Sequence, residues 1–213
     1  MNEELNCIVL RVRELYARYG IKSITMDDVA RHLGMSKKTL YRYVNDKDDL
    51  VGKVVDFEIE LLKKGMDCPE KKSLNAIEEL LIVSQILNQR MKEINPSTVY
   101  DLRKYYPQHY ERLTVARREK MFENVIANIK KGQEEGLYRT DLDPRIIAML
   151  QISRVENIVD NDLFSINEFT SDKFFYEVFV YHIRGIANPK GIEFLDNQLK
   201  DFNINDLNFK QEK

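Results

Sequence analysis

The chain is poor in the residues that build metal centres, disulfide frameworks and loop-rich folds. Of its 213 residues, two are cysteine, three histidine, five proline and eight glycine. Cys7 and Cys68 lack metal-ligand spacing, and in a cytosolic chain two such cysteines are expected as free thiols. His32, His109 and His182 stand far apart with no His-Glu-x-x-His pairing, so no metal site is expected. A Walker loop, a dinucleotide fingerprint and a Gly-x-Ser-x-Gly elbow are all missing, so no cofactor and no enzymatic activity are expected. No apolar run approaches the roughly 20 residues needed to cross a membrane. The acidic start Met1-Asn2-Glu3-Glu4 does not resemble a signal peptide, and the expected location is the cytoplasm, without a membrane partner.

What is present reads as helical and globular: 43% hydrophobic and 32% charged residues, with few helix breakers. This length can bury a sizeable core, as one domain or two small ones. The net charge of −2 is unevenly spread. Residues 1–53 hold ten Lys or Arg against eight Asp or Glu, net +2, and the remainder holds 23 against 27, net −4. Within residues 36–47 the count is four basic to one acidic. A basic patch on a mildly acidic body suits contact with DNA through one small face.

That patch lies in TMDDVARHLGMSKKTLYRYVNDK, residues 25–47. Thr25 can cap a helix with Asp28 three residues on, and Val29, Ala30 and Leu33 give it an inward face. Gly34 permits a left-handed turn and Met35 can fill the angle between two helices. Ser36 caps the second helix. On a wheel of 100° per residue, Leu40, Tyr43 and Val44 share one side, and Lys37, Lys38, Tyr41 and Arg42 the other. Such a helix would lay its polar side, with Thr39 on the flank, in a major groove. Asp46 caps a third helix whose first turn carries Lys47, placing an ammonium beside unpaired N–H groups where a phosphate can sit.

GIKSITMDDVARHLGMSKKTLYRYVNDKDDL, preceded by an amphipathic helix from about Glu3 to Tyr19, resembles the N-terminal DNA-binding domain of the TetR family of transcriptional regulators. The resemblance covers roughly the first 55 residues. It implies an all-α chain with a three-helix helix-turn-helix domain at residues 1–53 and a helical effector-binding and dimerisation domain at 54–213. It also implies a homodimer that binds a palindromic operator. By position, Thr25, Tyr41, Tyr43 and Lys47 match phosphate contacts; Ser36, Lys37, Lys38 and Thr39 match the residues nearest the bases; Arg42 suits either. Asp27 departs from the pattern, since some members place a basic residue there; its expected role is toward the helix dipole.

Further helices are expected from Asp46 toward Cys68-Pro69, over about 73–91 and 97–105, from Pro107 to a loosened end at Gly132 and Gly136, from Pro144 to about Val159, and from Ser171 to Ile186. A short amphipathic piece is expected near 191–202, a polar loop before Ser171, and less order toward Lys213. The helices from Pro144 and Ser171 are apolar on more than one side, which suits an intermolecular four-helix bundle. The tyrosine-rich segment 100–110 suits a ligand pocket, with Tyr100, Arg103, Tyr106, His109, Tyr110 and Met149 as lining candidates. The expected function is a ligand-responsive regulator, a repressor released by a small molecule. The alternative is a helical interaction scaffold that keeps the helix-turn-helix shape without reading DNA sequence.

Overall fold

The computed structural model describes residues 3–64, 74–93, 95–159 and 171–201. The expected stop at Pro69, the loop before Ser171 and the final residues to Lys213 lie outside the described residues. Ten helices account for nearly all of the rest: α1 (Glu3–Tyr19), α2 (Met26–Leu33), α3 (Lys37–Leu40), α4 (Lys47–Lys64), α5 (Ala76–Glu93), α6 (Pro96–Tyr105), α7 (Pro107–Glu134), α8 (Pro144–Val159), α9 (Asp172–Ile186) and α10 (Pro189–Asp201). The fold is all-α, with a single isolated bridge, Tyr138 to Ala187, among the described residues. The chain forms two compact units, Met1–Met66 with Ile94–Lys120, and Asp67–Glu93 with Met121–Lys213. Helix α7 contributes its first half to one unit and its second half to the other.

In the first unit α1 packs on α2, α4 and α6. Ile8, Val12, Leu15 and Tyr16 of α1 join Val29, Ala30, Leu33, Leu40, Val44, Leu50, Val51 and Val55 in one apolar core. The burial of such side chains is the main favourable term holding these short helices together. Tyr19 is 51% exposed, because α1 ends there and its ring lies against Arg18. Val9 is fully buried, since α1 is covered on a wider arc than a single partner helix would need.

Helix α6 supplies that cover and also closes the end of α1. Thr98 Oγ1 donates to the carbonyl of Tyr16 at 2.7 Å, and Asn95 Nδ2 to that of Arg18 at 3.2 Å. The buried Asp101 carboxylate accepts the N–H groups of Ile21 at 2.9 Å and Lys22 at 2.7 Å. The backbone groups left over by the end of α1 thus find partners eighty residues away in sequence. Helix α4 is held to the first half of α7 by the Arg112–Asp56 ion pair and by His109 Nε2, 3.3 Å from Asp48.

The second unit has its own core of Ala76, Ile77, Leu81, Leu137, Tyr138, Ile183, Ile186, Ala187 and Leu195, with α5 packed on α9. Helix α5 starts at Ala76, later than expected, because the Asn75 side chain accepts the N–H groups of Ile77 and Glu78 at 3.0 Å. Helix α7 reinforces the same end: Glu135, just past it, accepts the N–H of Ala76 at 2.8 Å, and Asn128 donates to its carbonyl at 2.9 Å. Gly132 does not loosen α7 as the sequence suggests. Any side chain there would overlap the ring of Tyr138, whose hydroxyl reaches Asn128 Oδ1 at 3.2 Å.

Candidate nucleic-acid interface

The helix-turn-helix is assembled mainly by local polar bonds. Thr25 accepts the N–H of Asp28 at 3.2 Å and Asp28 accepts that of Thr25 at 3.0 Å, a complete capping box at the start of α2. These bonds from Thr25 hold the Asp28 carboxyl below its ordinary range. Gly34 adopts φ +70 at the end of α2, where its N–H and that of Met35 return to the last turn. Arg11 of α1 donates to the carbonyls of His32 and, at 3.2 Å, Leu33, so a charged side chain completes the cap. Ser36 opens α3 by accepting the N–H of Thr39 at 3.0 Å, and the two hydroxyls lie 2.8 Å apart.

Helix α3 is shorter than a wheel drawn from Lys37 to Val44 assumes. After Leu40 the bonds tighten to three-residue steps, Arg42 N to Thr39 O and Tyr43 N to Leu40 O, because the chain must begin the next cap at Asp46. The sidedness nevertheless holds. Leu40 and Val44 are buried at 0% and 2% exposure, and Lys37, Lys38, Tyr41 and Arg42 all face solvent. Thr25 and Ser36 are exposed, Thr39 half-buried. Tyr43 lies partly against the core and its hydroxyl donates to Glu4 at 2.7 Å, which already occupies the group matched to a phosphate.

Two electrostatic features were not legible in the sequence. Asp27 does more than face the helix dipole: its carboxylate meets Lys37 Nζ at 2.9 Å, and this bond raises the lysine's pKa. No short spacing signals a pair ten residues apart across a turn. Lys47 stands at the first position of α4, where Asp46 accepts the N–H of Asp49 and Asp49 that of Asn45, both at 2.8 Å. Burial, then the neighbouring Lys22, lowers the pKa of Lys47, and its Nζ lies 3.4 Å from the Lys22 carbonyl.

The ligand-lining candidates are more scattered. Tyr100 and Arg103 are exposed on α6, and Tyr106 and Tyr110 pack partly against the first core. Tyr106 and His109 lie together, ring centres 6.5 Å apart. His109 also borders a polar cleft of about 310 Å³ with Asp46, Asp48, Asp49, Asp56 and Arg112. Met149 is exposed on α8 in the second unit. Among the described residues no group of acidic, histidine and cysteine side chains could hold a metal ion, and no helix is long and apolar enough to cross a membrane.

Residues 11–54, which span the end of α1 through the start of α4, match the family model of bacterial regulatory proteins of the tetR family. That head is similar to those of tetR-family regulators. Consistent with this, the chain is 29% identical over 150 residues to the HTH-type transcriptional regulator YvaF of Bacillus subtilis, covering 70% of this chain and 78% of that one. Among solved structures, a transcriptional regulator from Cytophaga hutchinsonii shares the fold with a TM-score of 0.68 at 20% identity, over 88% of this chain and 100% of that one. AibR, solved with isovaleryl coenzyme A and operator DNA, shares it at 0.53 and 17% identity, over 83% and 98%. The chain thus carries a helix-turn-helix head that matches the tetR-family model, on a fold shared with solved transcriptional regulators.

Proposed function

We propose that the chain is a ligand-responsive repressor that binds a palindromic operator as a homodimer and leaves it when a small molecule binds. Residues 1–53 read the DNA, and 54–213 hold the effector and the dimer contact. The observation that carries the reading is the sidedness of α3 and the turn after it: Leu40 and Val44 are sealed in the core while Lys38, Tyr41 and Arg42 stand in solvent. Buried anchors with outward cations are what a major groove requires. In this reading Ser36, Lys37, Lys38 and Thr39 lie nearest the bases, Thr25, Tyr41, Tyr43 and Lys47 serve phosphates, and Arg42 serves either.

The dimer is supported by α8 and α9. Ile146, Met149 and Leu150 of α8 are 55%, 56% and 62% exposed, and Tyr181 of α9 is 76% exposed. Exposed apolar side chains of this size are retained where a partner covers them. That the related AibR was solved with an acyl coenzyme A and operator DNA supports an effector for this chain as well. The effector lowers operator occupancy only as far as it binds the DNA-incompetent form more tightly. Tyr100, Arg103, Tyr106, His109, Tyr110 and Met149 remain the residues to test for effector contact.

The decisive experiment selects binding sites from a random duplex library with the full-length chain. A two-fold-symmetric site with half-sites about one helical turn apart is expected. Lys38→Ala should alter base preference, and Lys47→Ala should weaken all sequences alike by about tenfold with a shallower salt dependence. Recovery of no enriched site would favour the scaffold reading, for which the Asp27–Lys37 pair speaks, since it ties up a lysine next to the bases.

A further inference from the structure

We propose that Lys22, Lys104 and the Tyr105 ring between them form a second phosphate-binding patch, which extends the DNA contact of the head beyond the helix-turn-helix and onto α6. The proposal rests on the DNA-binding reading above and adds to it Lys22 and a surface of α6 outside residues 1–53.

The patch is contiguous with Lys47. Lys47 Nζ lies 3.4 Å from the Lys22 carbonyl, and Lys22 Nζ sits 4.2 Å from the centre of the Tyr105 ring. Lys104 Nζ is 5.5 Å from the same ring and donates to the Tyr100 hydroxyl at 2.7 Å. Cation–π contact holds an ammonium by one side and leaves its remaining N–H donors for a second partner. Tyr100 and Tyr105 are 57% and 40% exposed, so their hydroxyls are accessible to the same partner.

The two halves of the patch are fixed to each other by Asp101, one turn before Tyr105 on α6. Its carboxylate holds the N–H groups of Ile21 and Lys22, so the turn that carries Lys22 cannot drift from the helix that carries Lys104. Among the described residues the cations of the patch have no ion-pair partner. Arg13, Arg31, Lys37, Lys53 and Arg112 of the same unit each have a carboxylate within 4.0 Å. Among the described residues Lys22, Lys47 and Lys104 have none. Asp101 and Asp28 act on Lys47 without forming an ion pair with it, so the three ammonium groups keep no contact counter-ion and favour a polyanion. The patch is open rather than enclosed and continues from the capped end of α4, which fits the sugar–phosphate backbone of a duplex. It offers no element to a groove, so it contributes affinity and register but no base choice.

The test measures binding of the full-length chain to a random-sequence duplex of about 40 base pairs by fluorescence anisotropy, at a series of salt concentrations. Each phosphate contact contributes roughly 0.9 to the slope of log affinity against log salt. The Lys22→Gln/Lys104→Gln double variant should bind about tenfold more weakly with its slope reduced by about two per head, at an unchanged melting temperature. Should the double variant melt earlier, Lys104→Gln alone decides, with about a threefold loss and a slope reduction near one, restored by Lys104→Arg. Wild-type affinity and slope in these variants, with both lowered in Lys47→Ala, would overturn the patch and leave the DNA-binding reading intact. A wild-type chain that binds neither this duplex nor any selected site would overturn both.

Discussion

Helices α3 and α8 both leave large side chains in water, but with opposite chemistry. On α3 and just past it the exposed groups are Lys38, Tyr41 and Arg42, which keep their hydration. Along α8 they are Ile146, Met149, Leu150 and Val155, whose exposure costs about 25 cal/mol for each Å² left wet. Under the proposed function the difference corresponds to two kinds of partner: charge for nucleic acid on the first unit, apolar area for protein on the second.

Breaking the apolar side should have the largest effect. Ile146→Glu with Leu150→Glu is expected to convert a dimer to monomers in sedimentation and to lower operator affinity by a hundredfold or more, on the order of 3 kcal/mol, while leaving the fold of the head intact. A variant that stays dimeric with full affinity would remove α8 from the interface. Next comes a pH effect behind the same surface. Burial, reinforced by Arg154, pushes the His182 pKa down to about 4. Between the ordinary value and that one the unfolded chain takes up a proton the folded chain refuses, so stability is highest above about pH 6.5 and falls as the pH drops toward 4. The loss should reach at most about 3 kcal/mol, and His182→Gln should flatten the acid side of a denaturation series at fixed protein concentration.

Smaller effects sharpen the charged side. Gly34→Ala places a side chain at φ +70 with no neighbour to clash, so backbone strain alone should cost about 1 kcal/mol in urea denaturation. A loss of several kcal/mol would mean the turn does more than hold its angle. Asp27→Asn frees Lys37 from a solvent-screened, exposed pair, so stability should barely move. Duplex affinity should rise by about two- to fivefold, because a carboxylate is removed from the anion-facing side. Weaker binding in that variant would show that Asp27 positions Lys37 rather than restraining it.

Much of the head was legible in the sequence because its determinants are short-range. The cap pairs at Thr25 and Asp28, the Ser36 cap and the left-handed Gly34 each act within four residues, so their spacing announced them. The length of α3 was not legible, since the tightened turn at Tyr43 reflects where the next cap must fall. The aromatic segment 100–110 read as one cluster. In the structure Asp101 and Leu102 turn inward while Tyr100 and Arg103 face solvent, because a helical run of aromatics distributes them around its axis.

The sequence by itself determined the helical fold, the ends of most helices and the basic side of the recognition segment, since periodicity and capping are properties of neighbouring residues. The tertiary structure decided which cations are neutralised and which are left free. Asp27 reaches Lys37 across a turn, and α6 brings Asp101, Lys104 and Tyr105 onto residues eighty positions earlier. Such encounters depend on how distant helices pack, and Coulomb energies depend on distance in space rather than along the chain.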